Sequence, residues 1–222
     1  MSPQTWWYVA RAAGVVSWLM LTASVVWGIV LASGAFPSHR RPAWLLDLHR
    51  WLGALTLGFL GLHLGALVAD SYVDFGLAEL SVPFASDWRP VAVAAGVLAM
   101  WALLAVQLSS VARTRMSKRL WRAIHLSSYP TFVLVSAHGV FAGTDATQPL
   151  YLWTTVVSVV SVAALTVHRV VRRGERPGRA RARRDPGAVA PRPAGPPAVG
   201  TTAGTTAGPA AGATAGTAAG RR

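Results

Sequence analysis

Four of the six histidines in this 222-residue chain stand where aliphatic residues would be expected. His49 and His63 are 14 residues apart and His125 and His138 are 13 apart, each within an apolar stretch. A neutral imidazole binds a metal through one ring nitrogen. Two imidazoles on facing helices can grip an iron porphyrin through both axial positions, and helix-bundle cores commonly house such sites. At about 1.5 Å rise per residue, the two spacings climb roughly 21 Å and 20 Å, so they define two matched levels. His49 can face His125 at an inner level and His63 can face His138 at an outer one. A single histidine in a membrane helix would be read as a hydrogen-bonded packing residue. Four at matched depths read as ligands, because polar groups at that depth are costly and usually functional. His39, in a loop, and His168, near the end of the last apolar stretch, read as interfacial residues without a ligand role.

Helical phase adds a constraint. Fourteen residues return to within about 40° of the same face, whereas thirteen land about 140° away. The helix carrying His125 and His138 must therefore be distorted, or be approached from two sides. Pro130 lies between them and removes a backbone hydrogen bond, so a kink or unwinding is expected there. Arg50 and Arg122 are candidate contacts for the propionates of the inner haem, and they serve equally well as ordinary flanking charges. Arg11 could serve the outer haem or snorkel to the interface. Gly53, Gly58 and Gly61 could leave room for a flat macrocycle or allow close helix packing.

The elements that must position these residues are membrane helices. About 20 mostly apolar residues span a bilayer, and five stretches meet this, near 6–32, 44–68, 91–109, 120–141 and 150–171. The expected fold is an all-α integral membrane bundle of about five transmembrane helices. Three connections are basic: Arg40 and Arg41; Arg113, Arg115, Lys118 and Arg119; and Arg169, Arg172 and Arg173. Two are acidic, with Asp70, Asp74, Glu79 and Asp87 in one and Asp145 in the other. With five spans all basic connections share one side, which puts the N-terminus outside and the C-terminus in the cytoplasm of a cell (plasma) membrane protein. The first stretch reads as a retained helix, since no basic segment precedes it and it exceeds a signal-peptide core.

Composition agrees. The chain is 53% hydrophobic and only 13% charged, with a mean hydropathy of +0.41. The net charge of +13 is concentrated in the C-terminal segment, and it suits anionic lipid head groups better than nucleic acid. With no cysteine, disulfides, iron–sulfur clusters and thiolate-attached haem are excluded. Two segments are expected: a membrane domain over 1–173, and an Arg/Pro/Gly/Ala/Thr-rich cytoplasmic tail over 174–222 too poor in large apolar residues to order itself.

The pairs His49–His63 and His125–His138, on two helices separated by one, resemble the ferric reductase-like transmembrane domain. Ferric reductases, NADPH oxidases and the haem-binding membrane subunit of a bacterial methionine sulfoxide reductase system share that domain. The spacings of 14 and 13 are similar to those of the oxidase branch, and the resemblance covers about residues 5–172. It implies a haem b at each level, with His49, His125, His63 and His138 as axial ligands of the iron. The chain departs from the family in ending without a flavin-binding or nicotinamide-binding motif, and in showing five helices where six are common. The expectation is an oxidoreductase component, a ferric reductase-like cytochrome b, that moves electrons from a cytoplasmic or membrane donor to an extracytoplasmic acceptor. A flavin or quinone would enter only through a partner, a separate donor reductase or the quinol pool. The alternative is a haem-free transporter that binds metal ions or protons on the same histidines.

Overall fold

The computed structural model describes residues 3–34, 42–70, 75–144 and 147–174, and every regular element among them is helical. Helix α1 covers Pro3–Ser33, α2 Trp44–Ala69 and the short α3 Leu77–Ser81. Helix α4 covers Pro90–Val111 and is followed by a 3-10 turn at Arg113–Arg115. Helix α5 is Lys118–Leu126, α6 Ser128–Ala142 and α7 Pro149–Gly174. Among the described residues, α1, α2, α4 and α7 are long and apolar enough to cross a membrane. They coincide with the first, second, third and fifth expected spans. Helices are the natural outcome, because hydrocarbon offers backbone groups no partner and a helix satisfies them internally.

The fourth expected span is not one helix. It is divided at Ser127, whose ψ flattens to −10° and whose amide bonds to the Ile124 carbonyl, three residues back, at 3.0 Å. Pro130 explains the position of the break. It has no N–H for the Leu126 carbonyl, and its ring collides with that carbonyl in a continuous helix. The third residue of α6 tolerates it, since amides of a first turn have no helical acceptor. Helix α5 carries Lys118, Arg119 and Arg122 in nine residues, so it is too charged for a lipid span. Helix α6, with 15 residues, reaches only about 22 Å of the ~30 Å hydrocarbon core. Ser117 caps α5, accepting from the Leu120 amide at 3.2 Å.

Packing centres on α1, which lies along α2 and also touches α6 and α7, while α4 packs on α6 and α5. The buried core joins Leu21, Val25 and Ile29 of α1 to Leu103 of α4, Phe132 of α6 and Val162 of α7. Large apolar side chains point outward instead of being sequestered. Val157 and Val160 of α7 are each 59% exposed, an arrangement suited to lipid and not to water. At the end of the bundle near Asp70, the α3 segment is tied down by the Trp101 indole N–H, which donates to the Ser81 carbonyl at 2.9 Å. Arg89 closes the same end. It takes left-handed backbone angles (φ 45°, ψ 58°) just before Pro90 opens α4, and its guanidinium donates to the Phe141 carbonyl. His39, Arg40, Arg41, Asp74, Asp145 and the expected tail beyond Gly174 lie outside the described residues.

Candidate functional site

The four histidines come together in the expected pairs. His49 of α2 faces His125 of α5 with ring centroids 6.1 Å apart and planes at 69°. His63 of α2 faces His138 of α6 at 6.5 Å and 80°. The pairing also shows that α2 and the α5–α6 path ascend together. An imidazole nitrogen sits roughly 2.0–2.1 Å from a first-row metal, and the ring centre about 1.1 Å further on. Two rings on opposite faces of one iron therefore have centroids about 6.3 Å apart. Both observed separations lie within a few tenths of an ångström of that value. Edge-to-face ring packing spans the same distances; what sets these pairs apart is that the separation repeats 14 residues further along α2.

The rings are held by helices α1 and α4, which carry no histidine. His63 Nδ1 lies 2.7 Å from the Ala10 carbonyl oxygen, and His138 Nδ1 lies 2.8 Å from the Ala92 carbonyl oxygen. A carbonyl only accepts, so both Nδ1 atoms carry the proton and donate, which leaves the lone pair on Nε2 for a metal. His49 Nδ1 lies 3.3 Å from Ser24 Oγ. Each acceptor stands four residues before a glycine that makes room for the ring. A Cβ at Gly14 would be 3.0 Å from His63 Nδ1, one at Gly28 would be 3.1 Å from His49 Cε1, and one at Gly96 would be 2.7 Å from His138 Nδ1. Three seats of one design thus repeat: Ala10 with Gly14, Ser24 with Gly28, and Ala92 with Gly96.

A cavity opens around the outer pair between α1, α2, α4 and α6, with α3 and the start of α7 at its rim. Its empty space, counted out to its mouth, is about 1510 Å³, and Arg11, Glu79, Trp88 and Tyr151 join the two histidines in lining it. Arg11 lies 4.1 Å over the Trp7 ring, within reach of this space. The two inner arginines singled out in the sequence sit outward: Arg50 is exposed and pairs with Asp47 at 3.0 Å, and Arg122 is exposed on α5. His168 is exposed on α7.

Gly58 and Gly61 do not make room for a macrocycle: both face outward, with open space where a Cβ would go. Gly53 is buried, and a Cβ there would strike the Gln107 side chain of α4. The glycines that matter, Gly14, Gly28 and Gly96, were not among those chosen from sequence. A signal did exist. Gly14 and Gly28 repeat the 14-residue interval of His49 and His63, as an antiparallel neighbour of α2 must if it seats both rings. The Trp121 indole, one turn before His125, stacks on its ring at 4.9 Å and 21°.

Among the described residues no three His, Cys, Asp or Glu side chains gather at one point; the histidines stand in twos. The sequence model of the ferric reductase like transmembrane component family matches residues 13–136. The match takes in His49, His63 and His125 and ends two residues before His138. No curated protein and no solved structure matches the chain significantly.

Proposed function

Because the chain belongs to the ferric reductase like transmembrane component family, whose domains transfer electrons across membranes and generally bind haem, we propose that it carries electrons on two b-type haems. His49 and His125 hold one and His63 and His138 the other. The observation that carries this reading is the repeated ring separation of 6.1 and 6.5 Å at two levels of one bundle. Bound there, haem supplies a reversible one-electron change at iron. Every other part of the task falls to the protein.

The carbonyls of Ala10 and Ala92 fix the tautomer and orientation of the outer imidazoles, and the Ser24 hydroxyl helps orient His49. Between the two levels stand two buried threonines. Thr56 and Thr131 are each only 1% exposed, and their hydroxyls donate back to the Leu52 and Ser127 carbonyls at 2.8 Å. Leu21, Leu103 and Phe132 are buried beside them in one apolar cluster. With both hydroxyls satisfied inside their own helices, the region between the pairs favours electron transfer over the transporter alternative. Ligands in twos also suit axial coordination better than a tetrahedral ion site, which asks for three or four.

Orientation follows from charge. Arg113, Arg115, Lys118, Arg119 and Arg122 stand at the His125 end, while Asp70, Glu79 and Asp87 belong to the segments at the other. The positive-inside tendency puts the His49/His125 level toward the cytoplasm. Electrons then enter from a cytoplasmic flavoprotein or from quinol and leave to an extracytoplasmic acceptor. The protein is to be tested in sealed vesicles with ferricyanide trapped inside and dithionite added outside. Ferricyanide reduction that needs the protein and is lost in His63→Ala and His49→Ala is the expected result. Reduction unaffected by either replacement would refute the reading.

A further inference from the structure

The four ring seats are not equal. Three imidazoles have a hydrogen-bond partner at Nδ1 and a glycine beside them, whereas His125 Nδ1 is buried without a hydrogen-bond partner. The register of α4 against α6 shows what is missing. Ala92 and Gly96 seat His138, so thirteen residues along, the antiparallel counterparts for His125 are Ala105 and Ser109. Position 109 has a Cβ where the other seats have glycine, and its hydroxyl donates within its own helix to the Val106 carbonyl at 3.0 Å. The break at Ser127 also detaches α5 from the helix that holds His138. What His125 has instead is the Trp121 indole, stacked one turn earlier at 4.9 Å and 21°. The Arg113 guanidinium lies 4.8 Å from that same indole.

We propose that His125 is the displaceable ligand of the four and that Trp121 is the positioning residue that keeps it in place. The proposal rests on the two-haem reading above. Stacking resists tilt of the imidazole but not rotation in its own plane, whereas a hydrogen bond from Nδ1 resists both and strengthens the nitrogen donor. Loss of such an outer hydrogen bond typically weakens metal binding about 10–100-fold. His125 also sits on a nine-residue helix that can shift without moving α6. The inner site is thus built so that one axial position opens to a small neutral ligand, while the outer site stays closed on both faces.

Carbon monoxide is the probe, applied to the purified full-length protein after dithionite reduction. Haem-to-protein ratio is measured first; a ratio near zero refutes the two-haem reading itself and is distinguishable from failure of the present inference. With both haems present, carbon monoxide is expected to convert about half of the reduced Soret band, with the iron–nitrogen bond to His125 replaced by an iron–carbon bond and no electron moved. His138→Ala, which keeps only the inner haem, should retain the reaction, and His49→Ala, which keeps only the outer, should lose it. Trp121→Ala should speed the reaction about 10-fold, and Trp121→Phe, which preserves stacking, should restore a rate close to the native one. The proposal fails if neither haem reacts, if both react alike, or if the haem surviving in His49→Ala is the reactive one. The unsubstituted protein decides most of this, so misfolding of a Trp121 variant would not protect the idea.

Discussion

Gly96→Ala offers a test that turns on tenths of an ångström. A Cβ at Gly96 would stand 2.7 Å from His138 Nδ1 and 2.8 Å from Cε1, where ordinary contact begins at 3.4 Å. The ring must therefore retreat by about 0.7 Å, several times the ~0.2 Å tolerance of a metal–ligand distance. Retreat toward His63 shortens a centroid separation of 6.5 Å to below the ~6.3 Å that an iron between two rings needs. Sideways retreat gives up the 2.8 Å hydrogen bond to Ala92. Either way outer haem binding should weaken by about 10–100-fold, or about 1.4–2.7 kcal/mol. Helix preference acts in the opposite direction, favouring alanine over glycine by about 1 kcal/mol. The fold should hold while haem leaves. Pyridine haemochrome quantification against protein should fall from two haems per chain toward one, with the inner haem retained. Gly14→Ala, at 3.0 Å from His63, should lose less, and Gly58→Ala, with open space around it, nothing. Two full haems and an unchanged reduced spectrum in Gly96→Ala would refute the seat argument.

Other consequences are as definite. Pro130→Ala restores an amide for the Leu126 carbonyl, so α5 and α6 should fuse and turn His125 about 140° from His138; the variant should keep one haem, with the spectrum of the His49→Ala protein. Ser24→Ala removes a long 3.3 Å contact to His49, so the haem ratio should stay at two, with only the inner redox midpoint shifting in a potentiometric titration. Trp18→Phe gives up the 3.1 Å indole bond to Ser136 Oγ, worth about 1 kcal/mol. It should lower the melting midpoint by about 2–4 °C without changing haem content.

The paired histidines were legible in the sequence and the groups that hold their rings were not, for a physical reason. A histidine in an apolar run announces itself, because polar groups at that depth are rare, and spacing then assigns its level. The break near Pro130 could also be anticipated, since thirteen residues cannot return to one helix face and proline removes a bond between the two histidines. The stretch read as the fourth span divides because Pro130 has no amide for the Leu126 carbonyl, which leaves the basic α5 as a separate short helix. The seats were missed because a backbone carbonyl has no residue type to read. Ala10 and Ala92 look like any alanine, and Gly14 and Gly96 like any glycine in a membrane helix. Only the pairing of α1 with α2 and of α4 with α6 shows which carbonyl meets which ring. Gly58 and Gly61 misled for the same reason: they lie near the histidines in sequence but on the opposite face of α2.

The central claim is that each facing pair of histidines holds one haem, and haem-to-protein stoichiometry across the four single His→Ala proteins tests it most directly. The account predicts two haems in the native chain and one in every variant, with His49→Ala matching His125→Ala and His63→Ala matching His138→Ala in their residual spectra. A native chain without haem, or a variant whose remaining haem belongs to the pair that was broken, would contradict it.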